Sequence, residues 1–228
     1  MSTRPLRVVA RAFSLLAFGF GLLSTGCGKG DVQIRFLNTS PGESSLDYSL
    51  DGNIVASGIA YGAGSNYGAT FPGSRHLRVY PSGTTNAIID QTISLGSSTY
   101  YSLVAVNYSS QISAILLTDD NSAPSSGNVK LRILNASPGL GTVDVYVVAP
   151  GSDLNSASPS VSALAFESSS GYVIESAGSW EIVCTAPGQK TALLATSTLT
   201  LASNQIRTVI VLNGAGGGYT TAVLDDLN

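Results

Sequence analysis

Two sets of polar residues in this 228-residue chain have the types and spacing that chemistry would need. Asn38, Ser40 and Asp47 return in the same order and spacing as Asn135, Ser137 and Asp144. An amide, a hydroxyl and a carboxylate repeated in this way would line a small ligand site at one end of a folded sheet. The competing reading is structural: Asn and Ser before Pro-Gly are ordinary turn formers that bond nearby backbone amides. The turn reading is the expected one. The second set is Asp119-Asp120 and Asp225-Asp226, paired acids that would hold calcium if a third oxygen donor joined them. No D-x-D-x-D-G loop accompanies them, and solvated aspartates are the expected outcome.

Other catalytic equipment is sparse. His76 is the single histidine, and it alternates with Leu77 and Val79 on a strand pattern that points it outward with Arg78 and Tyr80. The chain has no G-x-S-x-G, no cluster of metal-binding histidines and no Cys/His pair. Glu43, Glu167, Glu175 and Glu181 are scattered and find no acidic counterpart, which is a weak basis for carboxylate-pair hydrolysis. The expectation is a non-enzyme without a cofactor. Tyr61, Tyr67, Tyr80, Tyr100, Tyr101 and Tyr108 offer another chemistry, since tyrosine rings stack on sugars, though strand alternation would place half of them in a core.

The elements that must carry these residues are strands. Val32–Leu37 alternates Val32, Ile34 and Phe36 with Gln33 and Arg35, the period-two pattern of a half-buried strand. Leu46–Leu50 follows, then the hairpin turn Asp51-Gly52. Further strands are expected at Ile54–Ala56, Ser65–Phe71, His76–Tyr80, Ile88–Leu95, Tyr100–Val106 and Ile112–Leu117. Turns are expected at Pro72-Gly73, Pro81-Ser82-Gly83 and Gly96-Ser97. Charged residues are only 11% of the chain. Seven or eight short strands without a helical period read as an antiparallel β-sandwich.

The stretch V-Q-I-R-F-L-N-T-S-P-G-E-S-S-L-D-Y from Val32 returns as V-K-L-R-I-L-N-A-S-P-G-L-G-T-V-D-V from Val129, 97 positions on. The match resumes at Ser57–Tyr61 against Ser162–Phe166 and at Tyr67 against Tyr172, now 105 positions on, so eight residues are inserted within Ala149–Ser160. Asp119-Asp120 aligns with Asp225-Asp226 at 106. The expected fold is therefore all-β, with two tandem antiparallel β-sandwich domains of immunoglobulin- or transthyretin-like type. Their bounds are 31–120 and 129–228, with a linker at 121–128 short enough to permit tilting but little separation. Cys184 aligns with Val79 and reads as a core thiol.

Residues 1–26 read as a signal peptide: Arg4, Arg7 and Arg11 precede the apolar run Ala12–Leu23. Leu23-Ser24-Thr25-Gly26-Cys27 resembles the bacterial lipobox, with the large aliphatic one place further back than usual. Lipidation at Cys27 would leave 27–30 as a short tether and the membrane as a partner through the lipid. An ordinary secretory signal cut near the same point is the alternative. Removing three of the 11 basic residues leaves 8 against 14 acidic, a net of −6, so no nucleic-acid partner is expected. Gly28, where Asp would resemble an inner-membrane retention signal, points to an outer-membrane lipoprotein, periplasmic or surface-facing, in a Gram-negative host.

The pattern R-x-L-N-x-S-P-G followed by Asp and a strand resembles the domain-of-unknown-function family 4397, whose usual motif is close to H-A-S-P-D-A-P-x-V-D-V-Y-x-D-G. The second copy carries it as Asn135-Ala136-Ser137-Pro138 and Val143-Asp144-Val145-Tyr146, and the first as Asn38-Thr39-Ser40-Pro41 and Leu46-Asp47-Tyr48 with Asp51-Gly52. Asn stands for the customary His and Gly for the Asp after Pro, so no role is carried over at those positions. The resemblance implies a secreted or cell-surface β-sandwich and no activity. A binding, adhesion or structural role toward an envelope protein or a glycan is the resulting expectation.

Overall fold

The computed structural model describes residues 30–226. The expected signal peptide, Cys27 and most of the tether lie outside the described residues. Eight strands form before the 121–128 segment: β1 (Val32–Asn38), β2 (Ser45–Leu50), β3 (Asn53–Ala60), β4 (Gly68–Thr70), β5 (Gly73–Pro81), β6 (Ile89–Leu95), β7 (Tyr100–Val106) and β8 (Ser113–Asp119). They make two four-stranded sheets, ordered β4-β1-β7-β8 and β3-β2-β5-β6. After the segment come β9 (Asn128–Asn135), β10 (Val143–Val148), β11 (Val161–Leu164), β12 (Ser168–Ser169), β13 (Val173–Ser176), β14 (Gly178–Thr185), β15 (Ala192–Ala195), β16 (Leu199–Leu201), β17 (Ile206–Asn213) and β18 (Tyr219–Asp225). Their sheets run β12-β9-β17-β18, with β13 also on β9, and β11-β10-β14-β15, with β16 also on β14. The protein is all-β in open sheets, and none of those described closes into a barrel.

The turns sit largely where the residue types demand. Asp51 and Gly52 both have positive φ, 50° and 84°, as a two-residue hairpin with the native strand twist requires. The loop 149–160 joins β10 to β11, in place of that tight turn. Pro72-Gly73 is an exception to the expected breaks, because Gly73 already begins β5 and pairs with Leu95.

The expected antiparallel pairing is corrected at two places: β1 runs parallel to β7, and β9 parallel to β17. A hairpin forces antiparallel neighbours, but β1 reaches β7 only after the chain has crossed to the other sheet and back. That long connection leaves the direction free.

A second correction concerns burial. Inward residues of β1, β2, β5, β6 and β7 form one core around Ile34, Phe36, Tyr48, Leu77 and Leu103. Val129, Leu131, Ile133, Val145, Ile182, Cys184 and Val209 form another between the later sheets. A third cluster joins Leu37, Val104 and Val106 to Leu134, Ala136, Ile210 and Leu212, so the β4-β1-β7-β8 and β12-β9-β17-β18 sheets pack against one another. Strands β1, β7, β9 and β17 are consequently covered on both faces, which overturns the half-buried reading of Val32–Leu37: Arg35 and Leu37 are buried as fully as Ile34 and Phe36. Sequence runs such as Leu103-Val104-Ala105-Val106 carry that signal, since strands buried on both faces lose alternation.

Candidate functional site

Two arginines occupy the face that Leu37 and Leu134 share. Arg35 lies on β1 beside its parallel neighbour Ser102 on β7, and Arg132 lies on β9 beside Thr208 on β17. Arg35 Nη2 meets Asp226 Oδ1 at 2.6 Å, and Arg132 Nη1 meets Asp119 Oδ1 at 2.7 Å. Each arginine therefore takes its carboxylate from the other half of the chain. The four side chains are at most 3% exposed.

The rest of the cluster supplies further polar partners. Arg35 Nε donates to Ser102 Oγ at 2.8 Å, whose hydroxyl donates to Asp119 Oδ2 at 2.8 Å. Tyr67 Oη donates to the same carboxylate oxygen at 2.7 Å, and the Arg35 guanidinium lies 4.9 Å from the Tyr67 ring centroid. Across the interface Arg132 Nη2 donates to Thr208 Oγ1 at 3.0 Å, which donates to Asp226. Tyr172 stacks under Arg132 at 5.2 Å. Burial raises both phenols above their ordinary pKa, with Asp119 adding to the effect on Tyr67. Burial is the strongest single influence on Arg132 and works against its charge, but Asp119, Tyr172 and Asp226 together outweigh it, so the guanidinium titrates higher than usual. A buried charge is tolerated when it is paired and hydrogen-bonded, and this cluster does both.

The paired acids are thus separated in role. Asp119 and Asp226 are interior anchors, whereas Asp120 pairs with Lys130 at 2.6 Å and Asp225 with Arg207 at 2.8 Å. The expected correspondence is also offset by one residue: Ser102 lies opposite Leu117 and Thr208 opposite Leu224, which makes Asp226, not Asp225, the counterpart of Asp119. Each of the four carboxylates already faces a cation. Among the described residues no three His, Cys, Asp or Glu side chains converge as metal ligands.

Asn38, Ser40, Asn135 and Ser137 are buried turn braces. Asn38 Nδ2 donates to the carbonyls of Glu43 and Ile59, while its Oδ1 accepts from Ser40 N. Asn135 repeats this with Gly141, Leu164 and Ser137 N. Ser40 Oγ donates to the Asn107 carbonyl and Ser137 Oγ to Asn213 Oδ1. Asp47 belongs to a separate network: its Oδ1 accepts from Ser82 Oγ, Gly58 N and Ser57 Oγ, an arrangement that lowers its pKa. Asp144 accepts from Gly188 N and Ala163 N with the same consequence. Gly58 and Ala163 have positive φ, 66° and 52°, so the carboxylates brace bulges in β3 and β11. The structure does not assemble Asn38 and Asp47 into one ligand-binding group.

His76 lies outward as expected, its Nε2 beside Asp90 Oδ1 in a partly exposed contact shared with Arg78. Most tyrosines proposed as sugar platforms are engaged elsewhere. Tyr67 is in the arginine cluster, Tyr100 packs edge-on against it, Tyr101 is buried, and Tyr61 donates to the Asn213 carbonyl. Tyr108 is exposed, and Tyr80 borders a recess of about 210 Å³ with Asp47, Ile54, Thr84 and Thr85. A larger cleft of about 340 Å³ opens between β3 and β4 and was not anticipated from sequence. Its floor is Ile34 and Phe36, and no ionisable side chain lines it. The arginine cluster was also missed, although Arg35/Arg132 and Tyr67/Tyr172 both recur in the two copies.

A family model described as "Domain of unknown function (DUF4397)" matches residues 32–146, from β1 through the first half and into β10. The chain belongs to the DUF4397 family. That match contains both arginines and Asp119, while Asp226 lies beyond it. No curated protein shows significant similarity. Among solved structures, the family 26 carbohydrate-binding module CBMbc of Eubacterium rectale Amy13K, in complex with maltoheptaose, is 12% identical over 87% of this chain and 98% of that one, with a TM-score of 0.28. A family 41 carbohydrate-binding module from streptococcal virulence factors is 13% identical over 85% and 97%, with a TM-score of 0.30. The Bacillus anthracis TIE protein is 10% identical over 80% and 33%, at 0.27. Scores this low leave the fold and role of this DUF4397 chain to be argued from its own geometry.

Proposed function

We propose that this is a lipid-anchored, non-catalytic protein of the bacterial cell envelope, built as two tandem β-sandwich domains and serving a binding or structural role. The anchor is the acylated Cys27, and the expected location is the outer membrane. One observation supports the reading above others: the acids that the sequence offers for chemistry are held in structural bonds. Asp119 and Asp226 hold the two halves together, and Asp47 and Asp144 hold bulges. A general acid or base has to reach a substrate proton, and these carboxylates face arginines or backbone amides instead.

The test has two arms. Cells expressing the protein are labelled with a radioactive fatty acid, with and without globomycin, and then shaved with protease. Label that enters the protein and a precursor that accumulates under globomycin support lipidation; an unlabelled, freely soluble mature chain overturns it. The purified chain is also offered glycoside, ester and peptide substrates, and turnover abolished by a single substitution would overturn the non-catalytic reading.

A carbohydrate-binding role is the second reading. It is favoured by the recess where Asp47, Tyr80, Thr84 and Thr85 meet beside exposed Ile54, which offers a ring, hydroxyls and a fixed acceptor to a neutral sugar. Glycan binding lost in Tyr80→Ala, with the melting temperature unchanged, would support it.

A further inference from the structure

The cleft between β3 and β4 has an internal reference for what belongs in it. Gly68 on β4 lies opposite Ile34 on β1, and Val173 on β13 lies opposite Leu131 on β9. Ala56 on β3 corresponds in the same alignment to Val161 on β11. In the later half Val161 and Val173 pack against the hydrophobic core. In the earlier half, Ala and Gly replace these two valines, and the cavity of about 340 Å³ opens at that place. A Cβ built on Gly68 would meet only the Ile34 carbonyl, at 4.0 Å, so there is room for an aliphatic group.

Two further features define the chemistry of an occupant. No titratable group lines the cleft, so a charge entering it would lose its hydration without gaining a partner. The cleft is also flanked by the outer edges of β3 and β4, each paired on one side only, to β2 and β1 respectively. Unpaired strand edges present backbone donors and acceptors that a lipid tail cannot satisfy and an extended peptide can. The eight residues of β3, N-I-V-A-S-G-I-A, carry no charged or Pro residue of the kind that normally blocks such an edge. On the cleft wall Val55 is 46% exposed, a large apolar side chain left in water.

We propose that this cleft binds an uncharged, aliphatic-rich extended strand of a partner protein, whose backbone pairs with the β3 edge and whose Val or Ile side chains enter where Val161 and Val173 sit in the later half. This deepens the binding role proposed above and rests on it.

The experiment uses the full chain in lipid nanodiscs and a fluorescent, end-blocked peptide alternating valine and threonine. A matched peptide alternating lysine and threonine serves as the control, and binding is read by anisotropy. The expected result is saturable binding of the valine peptide alone, weakened at least about tenfold in Gly68→Val, in keeping with loss of an apolar pocket. Val55→Lys at the exposed edge should have the same effect, and it guards against misfolding in the first variant; both should melt at or above the wild-type temperature. Absence of saturable binding, or binding that both variants leave intact, overturns the proposal. Displacement of the peptide by palmitate at lower concentration than by unlabelled peptide makes the occupant an acyl chain and also overturns it. A wild-type dimer in sedimentation that Gly68→Val converts to monomer makes the occupant a second copy, with the same consequence. Peptide recovered intact by mass spectrometry leaves the non-catalytic reading standing whatever the binding result, whereas cleaved peptide overturns that reading separately.

Discussion

Arg35 and Asp226 are 191 positions apart and meet at 2.6 Å, both side chains almost fully buried. Arg132 and Asp119 form the reciprocal pair, so each half of the chain supplies the anion for the other half's cation. The eight-residue linker had implied freedom to tilt. Two buried ion pairs and the apolar cluster around Leu37 and Leu134 make the interface a fixed one instead.

Cutting one arm of this lock should be felt in both halves. Removing one partner of a buried pair costs about 3–5 kcal/mol, because the other charge is left uncompensated. Asp226→Asn should therefore lower the unfolding free energy read from urea denaturation by that amount while speeding hydrogen exchange in β1. The double variant Arg35→Met/Asp226→Leu should recover most of the loss. Separate unfolding of the two halves in the wild-type chain, seen as two calorimetric transitions, would contradict this coupling.

Asn38 and Asn135 should be costly to truncate even though they are polar turn residues. Asn135→Ala orphans the carbonyls of Gly141 and Leu164, each worth about 1–3 kcal/mol when left buried and unsatisfied. Chemical denaturation should show a loss of that order, and a change below about 0.5 kcal/mol would return these residues to the ligand-site reading.

Acid sensitivity follows from the carboxylates whose pKa is lowered. The Asp144 value falls because Gly188 N and Ala163 N donate to it, and Asp120 is brought to about 2 by Lys130 and Ser122. A depressed folded pKa contributes stability that is complete above the unfolded carboxylate range, about 4, and is lost as pH falls through the folded value. The melting temperature should hold through neutral pH and decline below about pH 4. Asp144→Asn should flatten that decline.

Cys184 should be inert while the protein is folded. It is fully buried opposite Val145 on β10, and burial pushes its thiol up to about 12. A thiol reagent at about pH 8 should label it only as fast as the chain opens, with full reactivity in denaturant. Rapid labelling of the native chain would place the thiol at the surface.

Most strand positions were readable because short-range physics writes them. Alternation marked β1, β2 and β5, and Asp51-Gly52 marked a hairpin, since each depends on neighbours a few residues away. Cys184 was readable as a core residue for the same reason, by its alignment with Val79. The recurrence of Asn-x-Ser-Pro-Gly identified turns, and the buried bonds of Asn38 and Asn135 explain why the motif takes those residues. The role of Arg35 was not readable. Period two separates the two faces of a strand but does not say whether the outer face meets water or another sheet, so Arg35 read as a solvent residue. Nothing near Asp226 in sequence names its partner either, and counting identical residues aligned it one position out. The cleft was hidden because Gly68 and Ala56 look like ordinary strand residues until the packing places them across from each other. Sequence by itself determined the strands, the turns and the repeated motif, all local in origin. Only the tertiary structure decided which face is buried twice, which acid meets which arginine and where a side chain is missing, because those outcomes depend on contacts between segments far apart in the chain.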